Sequence, residues 1–236
     1  LAPGRLERAR SAERVSGVTI DSRQARPGDL FVAVGGGIAF ARDALAAGAA
    51  ATLEPEDAFG ALGALGRAVR ERSAAKVVAV TGSTAKTSTK DILGALCSSH
   101  ARTVVAEGSQ NNEIGLPLTL CRLEEDTEIA IVEMGMRGLG QIAELCEIAQ
   151  PDVGIVTSVG PVHLELLGTV ERVAQAKAEL IESLPAGGAA VVPAGERYLD
   201  PYLARDDLRV FRFGDGGDVS LSYFAAHDGS ARIRVE

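Results

Sequence analysis

The sequence predicts an α/β protein in which a small N-terminal α/β domain precedes a doubly wound, mostly parallel sheet. Four short apolar runs rich in β-branched residues alternate with amphipathic segments, as strands covered on both faces do. They lie at 77–80, 129–132, 153–156 and 189–192. Aromatic residues make up 4% of the 236 residues and Trp is absent, so Val, Leu, Ile and Ala must build the core. This composition favours helices packed on a parallel sheet.

In the first 72 residues, strand patterns and helix patterns alternate less regularly than in the rest of the chain. Strand-like runs at 15–20 and 30–34 flank a Pro-Gly-Asp turn at 27–29. Helices are predicted at 40–47 and 58–72, before a short linker at 73–76. We therefore predict one domain over 1–74 and a second over 75–236.

Composition and charge exclude several classes of protein. The net charge of −8 argues against a nucleic-acid partner, because binding phosphates along a duplex needs a basic face. No apolar run approaches the roughly 18 residues of a membrane span, and the charged start LAPGRLERAR lacks a signal peptide, so we expect a cytoplasmic protein. The three cysteines are far apart and without a CxxC pair, which predicts reduced thiols rather than a disulfide or zinc site.

The ends of the sequence predict that it is truncated. The only methionines are Met134 and Met136, so no initiator is present. The final ARIRVE has a strand pattern, and we expect the second domain to be incomplete.

The strongest local motif is VVAVTGSTAKTSTKDILGALC, at 77–97. A buried strand ends at Thr81, a short loop follows, and a helix begins at Thr87 with Ile92, Leu93 and Leu96 predicted on its apolar side. Backbone N–H groups and the positive helix end then converge on one point, which suits a phosphate. Lys86 would bridge a β- and a γ-phosphate as a point charge, and the Thr87 hydroxyl would ligate Mg²⁺. The alternative is an ordinary solvated Lys-Thr helix start.

Two further residues follow predicted strands at the same edge of the sheet. Glu133 comes directly after the run at 129–132, and His163 follows the strand that begins at Val153. Ligands bind outside the carboxyl ends of parallel strands, where Lys86 also falls. A carboxylate and an imidazole beside a triphosphate could ligate a metal. The alternatives are an exposed strand-end glutamate and a structural histidine.

Lys177 interrupts an apolar helical stripe. After the predicted N-cap Thr169, the stripe runs through Val170, Val173, Lys177, Leu180, Ile181 and Leu184. Either the lysine snorkels at the edge of the stripe, or its amine is held near the active site with its charge altered.

With these motifs in place, the chain resembles the Mur ligases, the ATP-dependent amide-bond-forming enzymes of peptidoglycan synthesis. The likeness rests on several separate stretches and spans nearly the whole length. They are DSRQARPGDLFVAV (21–34), TGSTAKTSTK (81–90), EGSQNNEIGLPLTLCRL (107–123), EMGMRGLGQIAEL (133–145), PDVGIVTSVGPVHLELLG (151–168) and ERVAQAKAELIESLP (171–185). NNEIGLPLTL is similar to the branch that adds D-Ala-D-Ala to UDP-N-acetylmuramoyl-tripeptide.

The resemblance implies a role for each matching residue. Asp21, Ser22, Arg23 and Asn111 would bind the UDP substrate. ATP would be bound by Gly82, Ser83, Thr84, Ala85, Lys86, Thr87, Ser88 and Asn112. Mg²⁺ would be held by Thr87, Glu133 and His163, and a carbamylated Lys177 would help to ligate a second Mg²⁺. Lys86, His163 and Lys177 would be catalytic. The reaction would pass through an acyl phosphate of the substrate carboxylate.

Three departures from the family pattern shape what we expect. Ala85 stands where the family has glycine, so a methyl group could weaken phosphate binding. The segment GGGIAFARDALAAGA is shorter than the family's loop, which carries a DGH-like string, and the family's third domain, which binds the acceptor, is not in the sequence. Another Mur or folylpolyglutamate-type ligase and a catalytically silent nucleotide-binding homologue remain open alternatives.

Overall fold

The computed structural model describes residues 4–8, 14–227 and 230–235. The predicted domains extend beyond these residues at 1–3, 9–13, 228–229 and 236. Among the described residues, helices occur at Ala41–Ala46 (α1), Ala58–Arg72 (α2), Lys86–Ser98 (α3), Gly115–Leu120 (α4), Gln141–Ala149 (α5), Leu164–Leu167 (α6), Val170–Glu182 (α7) and Asp200–Leu203 (α8). Short 3₁₀ helices lie at Ser22–Gln24 and Gly35–Phe40.

A small four-stranded sheet occupies the N-terminal part. Its strands are Gly4–Arg8 (β1), Gly17–Thr19 (β2), Asp29–Val32 (β3) and Ala51–Pro55 (β4), in the order β1-β4-β3-β2. Only β1 is antiparallel to its neighbour. The sequence did not predict β1 and β4, because one is charged and exposed and the other is a short Ala-Thr-Leu run between two helices.

A six-stranded parallel sheet lies in the larger, C-terminal part of the chain, as predicted. Its strands are Lys76–Thr81 (β5), Thr103–Val105 (β6), Ile129–Glu133 (β7), Val153–Val156 (β8), Ala189–Pro193 (β9) and Arg209–Phe213 (β10). The order is β10-β9-β8-β5-β7-β6, and a separate hairpin joins Leu221–His227 (β11) to Ser230–Val235 (β12). Because the chain leaves β5 toward one edge and later returns to build the other, the carboxyl end of β5 is the switch point where ligands bind.

Helix α2 joins the two sheets. Its N-cap Asp57 accepts from the N–H of Gly60, and its Leu62 is fully buried in the core of the small sheet. On the other side Gly66 packs so closely on α4 that an added Cβ would lie 2.8 Å from the Cα of Pro117. Arg70 donates to the carbonyls of Ala149 and Gln150, at 2.9 and 3.0 Å, at the carboxyl end of α5. The small sheet is therefore held against the large one.

The apolar side predicted for α3 is wrong. Ile92 and Leu96 are 63% and 62% exposed, whereas Lys90 and Gly94 face the sheet. A Cβ at Gly94 would lie 2.8 Å from a methyl of Val105 on β6, so the helix approaches the strand through its smallest residue.

The predicted helix at 40–47 also begins as a 3₁₀ turn, with α1 starting at Ala41. No helix in the described ranges has the length and apolar character to span a bilayer.

Candidate active site

The loop between β5 and α3 has the shape of a phosphate-binding loop. Gly82 has a φ of +151°, and an added Cβ there would lie 1.9 Å from the Thr157 hydroxyl. Ala85 adopts the left-handed conformation, with φ of 62°, which favours glycine. The helix begins at Lys86, one residue earlier than predicted. This is a helix N-terminus presented at the switch point of the sheet.

Residues after β8 brace this loop. The Thr157 hydroxyl donates to the carbonyl of Thr84 at 2.6 Å, and the N–H of Thr84 donates to the Ser158 hydroxyl at 3.0 Å. The Ser83 hydroxyl accepts from the N–H of Gly160 at 2.9 Å. Sequence reasoning missed this support, because small hydroxyl residues after a strand carry no distinctive spacing.

Lys86 points back over its own loop. Its Nζ donates to the carbonyl of Gly82 at 2.9 Å, and the residue lines a cleft of 690 Å³. Asn111, Asn112 and His163 line the same cleft. The structure thus brings together four of the residues that the sequence singled out.

Glu133 is buried, so its alternative as an exposed strand-end residue is wrong. It is 1% exposed, and its two carboxylate oxygens accept from the Thr87 hydroxyl and from the Asn111 amide, each at 2.8 Å. Within the described chain it has no cationic side chain as partner. A buried carboxylate without a counter-charge, in contact with the first turn of the P-loop helix, is suited to a cation.

Asn111 and Asn112 differ in their contacts. Asn111 orients Glu133, whereas the Asn112 side chain accepts from the N–H groups of Ile114 and Gly115 at 3.2 and 3.0 Å. Asn112 therefore shapes the start of α4. Asn111 lines the same cleft as Lys86 and does not line the groove, described below, to which Arg23 belongs.

His163 lies at the mouth of the cleft. It is the N-cap of α6 with a left-handed φ of 54°, and its side chain is 42% exposed. Its Nδ1 is 3.9 Å from a carboxylate oxygen of Glu165. Across the described residues His163 forms no hydrogen bond to Thr87 or Glu133, so its role as a metal ligand stays a prediction.

Lys177 lies buried on α7, on the stripe that the sequence predicted. It is 2% exposed, and in the described chain its amine has no hydrogen-bond or ion-pair partner. Burial, and then the neighbouring charge of Lys86, lower its pKa from 10.5 to about 8. The lowered pKa increases the neutral fraction of the amine near physiological pH. A catalytic role for Lys177 stays a prediction.

The lowered pKa predicts a pH-dependent stability. Between about pH 8 and 10.5 the unfolded chain binds more protons at this residue than the folded chain, so the free energy of unfolding should rise with pH across that window. Urea unfolding at several pH values, in buffers free of CO₂, measures the slope. The Lys177→Met variant should lose this rise, whereas an unchanged slope would contradict the assigned pKa.

Glu179 ties α7 to the loop that follows Glu133. This 9% exposed carboxylate accepts from the N–H groups of Gly140, Ile142 and Ala143 at 2.6, 3.1 and 3.1 Å, and so caps the start of α5. It lies two positions after Lys177 on the same helix. Sequence reasoning missed it, because a glutamate next to an apolar stripe usually faces solvent.

Replacing Glu179 with glutamine should destabilise the chain. The amide nitrogen takes the place of one accepting oxygen and faces a backbone donor, which leaves that donor unsatisfied at a cost of about 1 to 3 kcal/mol. Urea unfolding measures the loss. Glu182→Gln on the exposed side of α7 is the matched control, and equal stability of the two variants would contradict the capping role.

The Asp21-Ser22-Arg23 motif lies away from the cleft. Asp21 accepts two hydrogen bonds from the Arg23 guanidinium, at 2.9 and 2.7 Å, and this pairing lowers its pKa to about 2. Arg23 lines a separate groove of 1410 Å³, between the β2 edge of the small sheet and the β6 edge of the large one. The groove is lined mostly by polar and charged side chains.

The Mur ligase middle domain model matches residues 80–233, which is more than half of the chain. The chain belongs to the Mur ligase family. The match covers the P-loop from Val80 onward together with Glu133, His163 and Lys177.

Individual Mur ligases agree in sequence and fold. A UDP-N-acetylmuramoyl-tripeptide–D-alanyl-D-alanine ligase of Synechocystis is 37% identical over 198 residues, which cover 76% of this chain and 44% of that protein. MurF from Thermotoga maritima, solved with ADP, has a TM-score of 0.80 at 33% identity, covering 93% of this chain and 55% of that one. UDP-N-acetylmuramoylalanyl-D-glutamyl-2,6-diaminopimelate–D-alanyl-D-alanyl ligase from Acinetobacter baumannii has a TM-score of 0.81 at 30% identity, covering 94% and 53%. The chain spans about half the length of these relatives.

The donor set of this Mur ligase chain fits Mg²⁺. Thr87 and Glu133 provide the hard oxygen atoms that the ion prefers, and the hydrogen bond between them places those atoms side by side. Among the described residues no group of three His, Cys, Asp or Glu side chains could hold a metal alone. Phosphate oxygens of a nucleotide would therefore have to complete the coordination.

Ala85 should weaken nucleotide binding relative to a glycine at the same position. Its methyl group stands where the backbone must approach a phosphate, so Ala85→Gly should bind Mg²⁺–ATP more tightly by about 1 kcal/mol. Isothermal titration measures the affinity, and urea unfolding separates a gain in loop stability from a gain in binding. Equal affinities would show that the loop tolerates the methyl group.

Proposed function

We propose that this chain contributes the nucleotide-binding parts of a ligase that adds D-Ala-D-Ala to UDP-N-acetylmuramoyl-tripeptide in peptidoglycan synthesis. Residues 1–74 would bind the UDP substrate through Asp21, Ser22 and Arg23, and residues 75–236 would bind ATP. The observation that carries the proposal is the hydrogen bond between Thr87 of the P-loop helix and the buried carboxylate of Glu133 at the switch point of the sheet. The effect of the Lys86 charge on the pKa of buried Lys177 supports including that lysine. The similarity to ligases of this specificity supports the choice of substrates.

The residues at the P-loop match the phosphate-transfer step of the proposed reaction. The substrate carboxylate forms a bond to the γ-phosphorus of ATP as the bond to ADP breaks, which gives an acyl phosphate. The D-Ala-D-Ala amine then forms the C–N bond, loses a proton, and expels phosphate. Lys86 lies where it can hold the transferred phosphate and stabilise its charge. Mg²⁺ held by Thr87 and Glu133 would neutralise charge on the phosphates.

Lys177 would act through a change of its charge. The Lys177 ammonium first loses a proton, and the neutral amine then adds CO₂ and releases a second proton, so that a cation beside Lys86 becomes an anion. Burial and the lack of a partner favour this change, because the uncharged amine is already stabilised there. The carbamate would serve as an oxygen ligand for a second Mg²⁺. The reaction uses ATP, and we place the enzyme in the cytoplasm.

Turnover by the intact gene product tests the proposal. With Mg²⁺–ATP, UDP-N-acetylmuramoyl-tripeptide and D-Ala-D-Ala should give the pentapeptide product and equimolar phosphate, measured by mass spectrometry and phosphate assay. Product only from the UDP-muramoyl dipeptide with diaminopimelate, or from a folate with glutamate, would assign another branch of the family. The Lys86→Met variant controls for contaminating activity.

A silent homologue is the second candidate, and the left-handed Ala85 favours it. A folded intact protein that releases no phosphate with any of these substrate pairs would establish it.

A further inference from the structure

Arg137 is a cation in the cleft for which the proposed chemistry has no use. It lies on the loop after β7, four residues beyond Glu133, and lines the cleft together with Lys86 and His163. The residue is exposed, and within the described ranges its guanidinium forms no hydrogen bond or ion pair.

The backbone of Arg137 is nevertheless fixed. Its N–H donates to the Gln141 side-chain oxygen at 2.6 Å, and the N–H of Gly138 donates to the same oxygen at 3.2 Å. Gln141 begins α5, whose first N–H groups are held by Glu179. The loop therefore fixes the backbone of Arg137 at the cleft. The five N–H donors of the guanidinium have no partner among the described residues.

The two cationic side chains of the cleft lie at different places and would bind different anions. Lys86 and Arg137 are the Lys and Arg side chains of the described cleft lining, and Glu113 and Glu144 are its carboxylates. Lys86 lies over the P-loop, where the phosphates would bind. Arg137 is therefore available to bind an anion other than the nucleotide phosphates.

The proposed substrate carries such an anion. The peptide acted on by the Acinetobacter relative contains glutamyl and 2,6-diaminopimelate residues. A glutamyl residue keeps one carboxylate free, and diaminopimelate has one besides the carboxylate that reacts. We propose that Arg137 binds a non-reacting carboxylate of the peptide substrate, and this inference rests on the function proposed above. A planar guanidinium can bind a carboxylate through two parallel hydrogen bonds and so fix the peptide next to the P-loop.

Steady-state kinetics of the intact protein test the pairing. Arg137→Gln should raise KM for the tripeptide by about 10-fold with little change in kcat or in KM for ATP, because a uniform binding contact is lost. Arg137→Lys should recover part of the loss. Arg72→Gln, at the exposed end of α2, is the matched control and should leave both constants unchanged.

Substrate analogues identify the carboxylate. One tripeptide has the free glutamyl carboxylate amidated, and another has lysine in place of diaminopimelate. The analogue that lacks the bound carboxylate should bind wild-type protein about 10-fold more weakly and should show no further loss with Arg137→Gln. Fully additive losses with both analogues, or an unchanged KM in Arg137→Gln, would overturn the pairing while the ligase function stands. Absence of product from wild-type protein with every tripeptide would overturn the proposed function and the pairing together.

Discussion

Replacing Lys177 with arginine should reduce ligase turnover of the intact protein by about 100-fold or more. Arginine keeps the positive charge but stays protonated and cannot form a carbamate, so a second cation remains beside Lys86. Wild-type activity should fall when dissolved CO₂ is removed and return with bicarbonate. The measurement is phosphate release under both conditions.

The arginine variant should not respond to bicarbonate. Lys76→Arg is the matched control, because Lys76 is 73% exposed at the start of β5 and pairs with Asp152. That control should keep full activity and the bicarbonate response. Normal turnover by Lys177→Arg would show that Lys177 is a buried structural lysine.

Replacing Glu133 with glutamine should lower kcat/KM by about 100-fold and remove much of the stabilisation that Mg²⁺ adds to ATP binding. The amide keeps the shape of the side chain and can still meet Thr87 and Asn111, but it lacks the charge that holds a divalent cation. Titration of the chain with ATP, with and without Mg²⁺, measures this without turnover. Glu71→Gln, on an exposed part of α2, is the control.

The nucleotide affinity without metal should change little in Glu133→Gln. A metal-dependent affinity equal to that of wild type would contradict the role assigned to Glu133. A loss of ATP binding in both conditions would instead point to a collapse of the contact with Thr87.

The fold could be predicted where hydrophobic pattern decides structure. The buried runs at β5, β7, β8 and β9 were identified from sequence because each is covered on both faces, and α2 was placed with correct bounds. Strands β1 and β6 were missed because backbone pairing with a neighbour, rather than a distinctive apolar pattern, holds them. The face of α3 was wrong because a close approach through Gly94 outweighed the burial of Ile92 and Leu96.

In the candidate site, too, the sequence located some residues but not the contacts between them. Lys86, Glu133 and His163 could be located because strand ends in a parallel sheet share one edge, and Lys177 because it breaks an apolar stripe. The partners of these residues could not be inferred. Neither the hydrogen bond from Asn111 to Glu133 nor the capping of α5 by Glu179 follows from spacing, because each joins side chains whose distance depends on how the loops pack.

The most direct measurement is the anomalous scattering of manganese in crystals of this chain grown with Mn²⁺ and a non-hydrolysable ATP analogue. We predict phosphates at the N–H groups of residues 82–88, and one manganese bound to the Thr87 hydroxyl and the Glu133 carboxylate in place of their hydrogen bond. A manganese peak on other carboxylates, with Glu133 still bonded to Thr87, would contradict a shared nucleotide and metal site at the end of β5.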